Sequence, residues 1–474
     1  MSRSVLIWLA GAVAAVGLGL AASCSTLPDI NPDLARTTGP VVLEGPGRPL
    51  TPAQSRAILS KLAEGGKETS IFERHLALEE GIVGSPLTAG NRAVLLQDGP
   101  AAYKAMLTAI RGARDNINFE TYIFEDDEVG RAFADELVAK QKQGVHVNLI
   151  YDSVGSIGTE RAFFERIGEA GSAVLEYNPV NPLQARQGWN VNERDHRKLL
   201  VVDGAIAFLG GINISSVYSS KPGSGGSAPG RSSGTARGEQ RDAKDLPWRD
   251  TQLQLEGPVV AELQKLFIET WDRQKGEPLP PRRYYPPTAK KGNDVVRAIG
   301  STPEDPFSLI YATLISAIRS AETEVWIANA YFVPDPQLLE ALKGAAQRGV
   351  DVRLLLPSKT DFWLVLHAGH AAYDDLLDAG VKIFERREAL LHSKTAVIDG
   401  VWSTVGSTNL DWRSFLHNQE LNAVVLGQDF GTQMRSVFTR DLAASEQITL
   451  DAWRRRGLEA RAKELLGKMW AYWL

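Results

Sequence analysis

Residues 195–213, DHRKLLVVDGAIAFLGGIN, hold His196, Lys198 and Asp203 in the spacing His-x-Lys-x-x-x-x-Asp; residues 391–409, LHSKTAVIDGVWSTVGSTN, hold His392, Lys394 and Asp399 in the same spacing. The match runs further. Gly210 and Gly406 lie fourteen residues after their histidines, and Asn213 and Asn409 lie seventeen after. Two chance copies in a chain with seven histidines have odds on the order of 10⁻⁴ from ordinary residue frequencies. The chain therefore carries an internal repeat of residues suited to chemistry.

KLLVVDG and KTAVIDG are apolar, β-branched runs ending at a Gly turn, which reads as a buried strand. Side chains two apart on a strand share a face, so His196 points with Lys198 and His392 with Lys394. Each Asp stands an odd number of positions from its His, beside the turn, which argues for a supporting role over contact with substrate. A His beside an ammonium suits an anion better than a metal ion. Two such pairs facing each other fit a phosphodiester: the lysines stabilise charge on the non-bridging oxygens, one imidazole attacks phosphorus, and the other protonates the leaving oxygen. Asn213, Asn409 and Ser407 are candidate donors to the phosphate. No metal and no cofactor is expected.

Residues 106–152 and 314–358 resemble each other as helix, strand, loop, helix, strand, with Gly144-Val145 and Gly349-Val350 at matching helix ends. The expected fold is α/β, with two similar lobes related by a pseudo-two-fold and the active site at their interface.

The doubled signature resembles that of the phospholipase D superfamily. GNRAVLLQDG (90–99), ETYIFEDD (120–127), WRDTQLQLEGP (248–258), YFVPDPQLLEAL (331–342), GSTNLDWRSFLHNQE (406–420) and LDAWRRRGLEAR (450–461) are similar to the bacterial cardiolipin synthase group. The resemblance covers about residues 88–474. It implies a phosphatidyltransferase acting through a covalent phospho-histidine, with phospholipids as substrates, a membrane as partner and no nucleic acid. His196 would be the nucleophile and His392 the acid and then the base, although the near-symmetric copies do not themselves assign these roles. The resemblance also implies an orienting acid downstream of each signature, crossed between the halves: Asp250 for His392 and Glu420 for His196. Hydrolysis to phosphatidic acid would use the same residues, and a nuclease would use the same phosphodiester logic. The net charge of −5, from 52 basic and 57 acidic residues, lacks the basic footprint usual for nucleic-acid binding.

Residues 1–24 read as an export signal with a short basic start, an apolar run and small residues before Cys24, the only cysteine. This resembles a bacterial lipoprotein leader, implying cleavage before Cys24, lipidation of its thiol and residence in the bacterial cell envelope; an uncleaved membrane helix is the alternative. Residues 25–88 read as a linker and a short helical cap on the first half. The first lobe is placed at 89–290 and the second at 291–474. Within the first, the Gly-, Ser- and Pro-rich stretch 219–245 reads as a flexible insertion near the site mouth, a lid or a tolerated loop. His367 and His370 in HAGH have a spacing that could suit a metal but, with no other ligands nearby, read as a solvated helix face, and Arg413 and Ser414 read as tying the loop that carries Asn409 rather than lining the pocket. At the carboxyl end, Trp470, Tyr472 and Trp473 suit either a lipid interface or closure of the second lobe.

Overall fold

The computed structural model describes residues 27, 41–64, 71–184, 189–220 and 246–470. Cys24 with the residues before it, residues 221–245 of the Gly-, Ser- and Pro-rich stretch, and Tyr472 with Trp473 lie outside the described residues. Two seven-stranded units have the same strand order. The first runs Thr88–Gln97, Thr251–Glu256, Ile206–Gly210, Leu199–Val202, Asn116–Thr121, His146–Asp152, Ala173–Tyr177. The second runs Asp294–Ser301, Asn418–Leu426, Trp402–Gly406, Lys394–Ile398, Glu324–Asn329, Asp351–Pro357, Lys382–Arg386. In each unit the last three strands are parallel and joined by helices. The two units join through antiparallel pairing of Thr88–Gln97 with Asp294–Ser301.

One apolar core lies between the lobes. Leu199, Val201, Leu253 and Phe267 from the first meet Val397, Leu421, Ala423 and Phe430 from the second. Two corresponding helices, Val259–Arg273 and Gln428–Ala443, supply this layer; each fully buried Leu or Phe there contributes roughly 1.5–3 kcal/mol. Separate outer cores complete each lobe.

The expected cap docks elsewhere than its sequence position suggests. Ile71, Phe72 and Leu76 of helix Ile71–Ile82 join the outer core of the second lobe, with Ile310, Tyr311 and Ile315. A buried polar contact fixes the choice, His75 Nδ1 lying 2.9 Å from Ser316 Oγ. The HAGH histidines are half-buried, not solvated, because helix Leu458–Trp470 packs on Trp363–His370. His370 there meets the rings of Tyr373 and Trp453.

Candidate active site at the lobe interface

The signature strands are positioned by their turns. Asp203 and Gly204 both adopt left-handed backbone (φ 53° and 60°), as do Asp399 and Gly400 (φ 50° and 68°), the conformation favoured by Asp-Gly hairpin turns. Ala205 N–H donates to Val202 and Val401 N–H to Ile398 across these turns. The Asp203 carboxylate accepts from the backbone N–H groups of Arg114, Asp115 and Asn116. That of Asp399 accepts from Glu322, Thr323 and Glu324. Both therefore tie the turn end of the signature strand to the start of a neighbouring strand, at the opposite end from the histidine. That placement makes them fold residues rather than members of the catalytic set.

At the other end, each histidine is carried to the opposite lobe. Arg194–Asp195 pairs in parallel with Asn418–Gln419, and His196 N–H donates to Gln419 O at 3.0 Å. Trp248–Arg249 pairs in parallel with Leu390–Leu391, and His392 N–H donates to Arg249 O at 2.8 Å. The next residue on each partner strand is the acid. His196 Nδ1 lies 3.0 and 3.1 Å from the two Glu420 carboxylate oxygens, and His392 Nδ1 lies 2.7 Å from Asp250 Oδ2. Both acids are fully buried. Each favours the proton on Nδ1 and so puts the lone pair on Nε2, the ring nitrogen away from the acid.

Lys198 and Lys394 each donate to the backbone carbonyl of the histidine two residues earlier, at 2.6 Å. The Lys394 ammonium also lies 2.9 Å from His392 Nε2. The cations crowd one another: burial, with repulsion from Lys394, pushes Lys198 down to about 7 against the pull of Glu420, and burial brings Lys394 to about 8. Burial and the lysine charges push both imidazoles down to about 4. Burial works against charge on Glu420, yet His196 and Lys198 overcome it and hold that carboxyl at about 2. The result is a buried site in which two ammonium groups and two carboxylates flank two neutral imidazoles, with the lysine N–H groups available to an anion.

The three candidate phosphate donors part company. Ser407 Oγ donates to Glu420 Oε2, and Asn213 Nδ2 donates to the Tyr218 hydroxyl while its Oδ1 accepts from Ile123 N–H. These two are spent on protein partners and act as positioning residues. Asn409 is 4% exposed and its Oδ1, an acceptor, has no partner among the described residues; a phosphate oxygen would take its Nδ2 hydrogens instead. Arg413 crosses to the first lobe and donates to Asn192, and Ser414 N–H caps on Asp411.

Sequence reasoning missed the aromatic wall. Tyr122 meets the His196 ring edge-on at 5.0 Å and lies 5.0 Å from Lys198 Nζ. Trp248 lies 4.9 Å from the His392 ring, and the Tyr218 hydroxyl is 3.2 Å from His392 Nδ1. Trp248 was recoverable from strand alternation, since it stands two before Asp250. Asp361, fixed by the Tyr331 hydroxyl, carried no such signal, though its carboxylate raises Lys394.

The family described as cardiolipin synthase, PLD-like domain, matches residues 106–220 and 314–442. A cardiolipin synthase of Alkalihalophilus pseudofirmus is 33% identical over 395 residues, 83% of this chain and 73% of that protein. Cardiolipin synthase 2 of Bacillus cereus is 35% identical over 372 residues, 78% of this chain and 68% of that one. Among solved structures, phosphatidylserine synthase from Haemophilus influenzae Rd KW20 superposes with a TM-score of 0.56 at 12% identity, covering 82% of this chain and 95% of that chain. A likeness at that identity speaks for the fold.

Proposed function

The chain belongs to the cardiolipin synthase, PLD-like domain family and is a phosphatidyltransferase of the phospholipase D superfamily; from that premise we propose that it joins two phospholipids through a phosphatidyl-histidine. The observation that carries the reading is the reciprocal pairing of His196 with Glu420 and of His392 with Asp250 across the lobes.

In the first step the His196 Nε2 lone pair forms a bond to the phosphorus of a phosphatidylglycerol. The bond from phosphorus to the glycerol headgroup oxygen breaks, that oxygen keeps the electron pair, and protonated His392 gives it the proton from Nε2. The anionic phosphodiester offsets the Lys198 and Lys394 charges, which favours the protonated form of His392 that the empty site disfavours. In the second step the headgroup hydroxyl of another phospholipid gives its proton to His392 and its oxygen attacks phosphorus. The P–N bond then breaks and returns its electron pair to His196. Glu420 stabilises the first imidazolium and Asp250 the second. The site's partial dehydration favours an alcohol over water as acceptor. We also place the protein in a bacterial cell envelope, anchored through Cys24, on the strength of its leader sequence.

Incubation with headgroup-labelled phosphatidylglycerol tests the reading. Cardiolipin with stoichiometric labelled glycerol, and a phosphatidyl-enzyme trapped by denaturant at alkaline pH that His196→Asn abolishes, are expected. Phosphatidic acid as the main product would make the protein a hydrolase, and no lipid product at all would overturn the reading.

A further inference from the structure

The C-terminal helix Leu458–Trp470 is mounted inside out. Its buried positions are Glu464 and Gly467, and a side chain at Gly467 would strike the backbone of Ala368, so a close crossing fixes the helix on Trp363–His370. Its apolar residues face away: Leu458, Leu465, Leu466, Met469 and Trp470 are 83%, 63%, 49%, 70% and 53% exposed. At 100° per residue these five form one stripe roughly 140° wide. A surface helix of a globular protein turns such a stripe inward.

The charge pattern says what covers it. Residues 450–470 hold six basic and three acidic residues in a chain of net charge −5. Arg461 and Lys468 stand along one margin of the stripe by the same angular count; toward the other, Lys463 is paired with Glu459, the one acid that falls within the stripe. An apolar stripe with cations along one margin, in a segment of basic surplus, fits the boundary between headgroups and acyl chains of an anionic bilayer.

The stripe is also tied to the catalytic site. The helix beneath it begins beside Phe362 and Trp363, which are 46% and 56% exposed. These follow directly on Asp361, whose carboxylate acts on Lys394 and on Tyr122. We infer that Leu458–Trp470, with Phe362 and Trp363, is a docking surface for an anionic phospholipid bilayer that holds the site mouth at the headgroup layer. The inference rests on the proposed function for its link to turnover, but not for the binding itself.

The full chain is mixed with phosphatidylglycerol vesicles carrying brominated acyl chains. A component of tryptophan quenching is expected that Trp470→Phe removes and that the pair Leu465→Glu, Met469→Glu abolishes. The same pair is expected to lower turnover of vesicle phosphatidylglycerol at least about tenfold while leaving turnover of a short-chain phosphatidylglycerol below its micellar concentration unchanged. Quenching that neither substitution alters would overturn the inference. So would sedimentation showing a lipid-free oligomer that the Glu pair converts to monomer, because the stripe would then be an interface between copies. If neither substrate is converted, the proposed function fails, and the quenching alone decides the surface.

Discussion

Glu420→Gln is the substitution that separates geometry from charge at this site. The carboxylate accepts from His196 Nδ1 with both oxygens, at 3.0 and 3.1 Å, and also holds Ser407 Oγ and Asn418 Nδ2. The amide keeps the shape, yet it can present an N–H where the imidazole also presents one. The ring then moves its proton to Nε2, which removes the lone pair needed for attack, or it attacks without a counter-charge. Losing a charge-assisted hydrogen bond costs about 1.5–3 kcal/mol, and the tautomer change adds to it. The expected fall in kcat is roughly 10³–10⁴-fold, about 4–5.5 kcal/mol of transition-state stabilisation, with KM nearly unchanged. A phosphatidyl ester of p-nitrophenol is the decisive substrate, because its leaving group needs no proton. Glu420→Gln should lose the stoichiometric burst of nitrophenol. Asp250→Asn, whose histidine partner is His392 and not His196, should keep the burst and slow the steady state. Correctly folded Glu420→Gln with a burst within about tenfold of wild type in rate, or a burst lost only in Asp250→Asn, would refute the assignment of His196 as nucleophile.

The profile of kcat, which reports the substrate-bound enzyme, should be bell-shaped: its basic limb combines loss of the His392 proton with loss of the Lys198 and Lys394 protons, near 7 and 8 in the empty site, and its acid limb is protonation of His196, at about 4 in the empty site; a profile flat to strongly basic pH would show that neither the acid nor the lysine charge is used. Stability follows the same imidazoles with a definite sign. Their native pKa lies below the unfolded value of 6.5, so the unfolded chain binds more protons and their contribution, complete above 6.5, declines as pH drops toward 4; urea unfolding should show wild type losing more stability over that window than the His196→Asn, His392→Asn double variant. Asp203→Ala should cost about 1–3 kcal/mol by orphaning three backbone N–H groups, visible as a lower urea midpoint, while the folded fraction keeps its kcat. Asn409→Asp should raise KM at least about tenfold by setting a carboxylate against a phosphate, whereas Asn213→Asp, acting through Tyr218, should change KM far less in steady-state kinetics.

The repeat made the two lobes legible, because equal spacing at 196–213 and 392–409 forces equal hairpins and equal strand order. Alternation placed each Lys with its His, and the odd position of Asp203 pointed away from substrate, in keeping with its backbone partners. Other features were hidden for physical reasons. An apolar stripe states that helix Ile71–Ile82 is covered but not by which lobe, and the His75–Ser316 contact spans a separation no local pattern encodes. Tyr122, Tyr218 and Trp248 look like core aromatics in a linear sequence, and only the fold lays them against the imidazoles. Ser407 and Asn213 have the right chemistry for phosphate, and what redirects them is the nearness of Glu420 and Tyr218.

Because each imidazole takes its orienting acid from the opposite lobe, competence is a property of the closed pair. A chain whose lobes are parted has its histidines separated from their orienting acids. The interlock therefore acts as a safety catch: chemistry on lipid headgroup bonds is armed only while the two lobes are closed on each other.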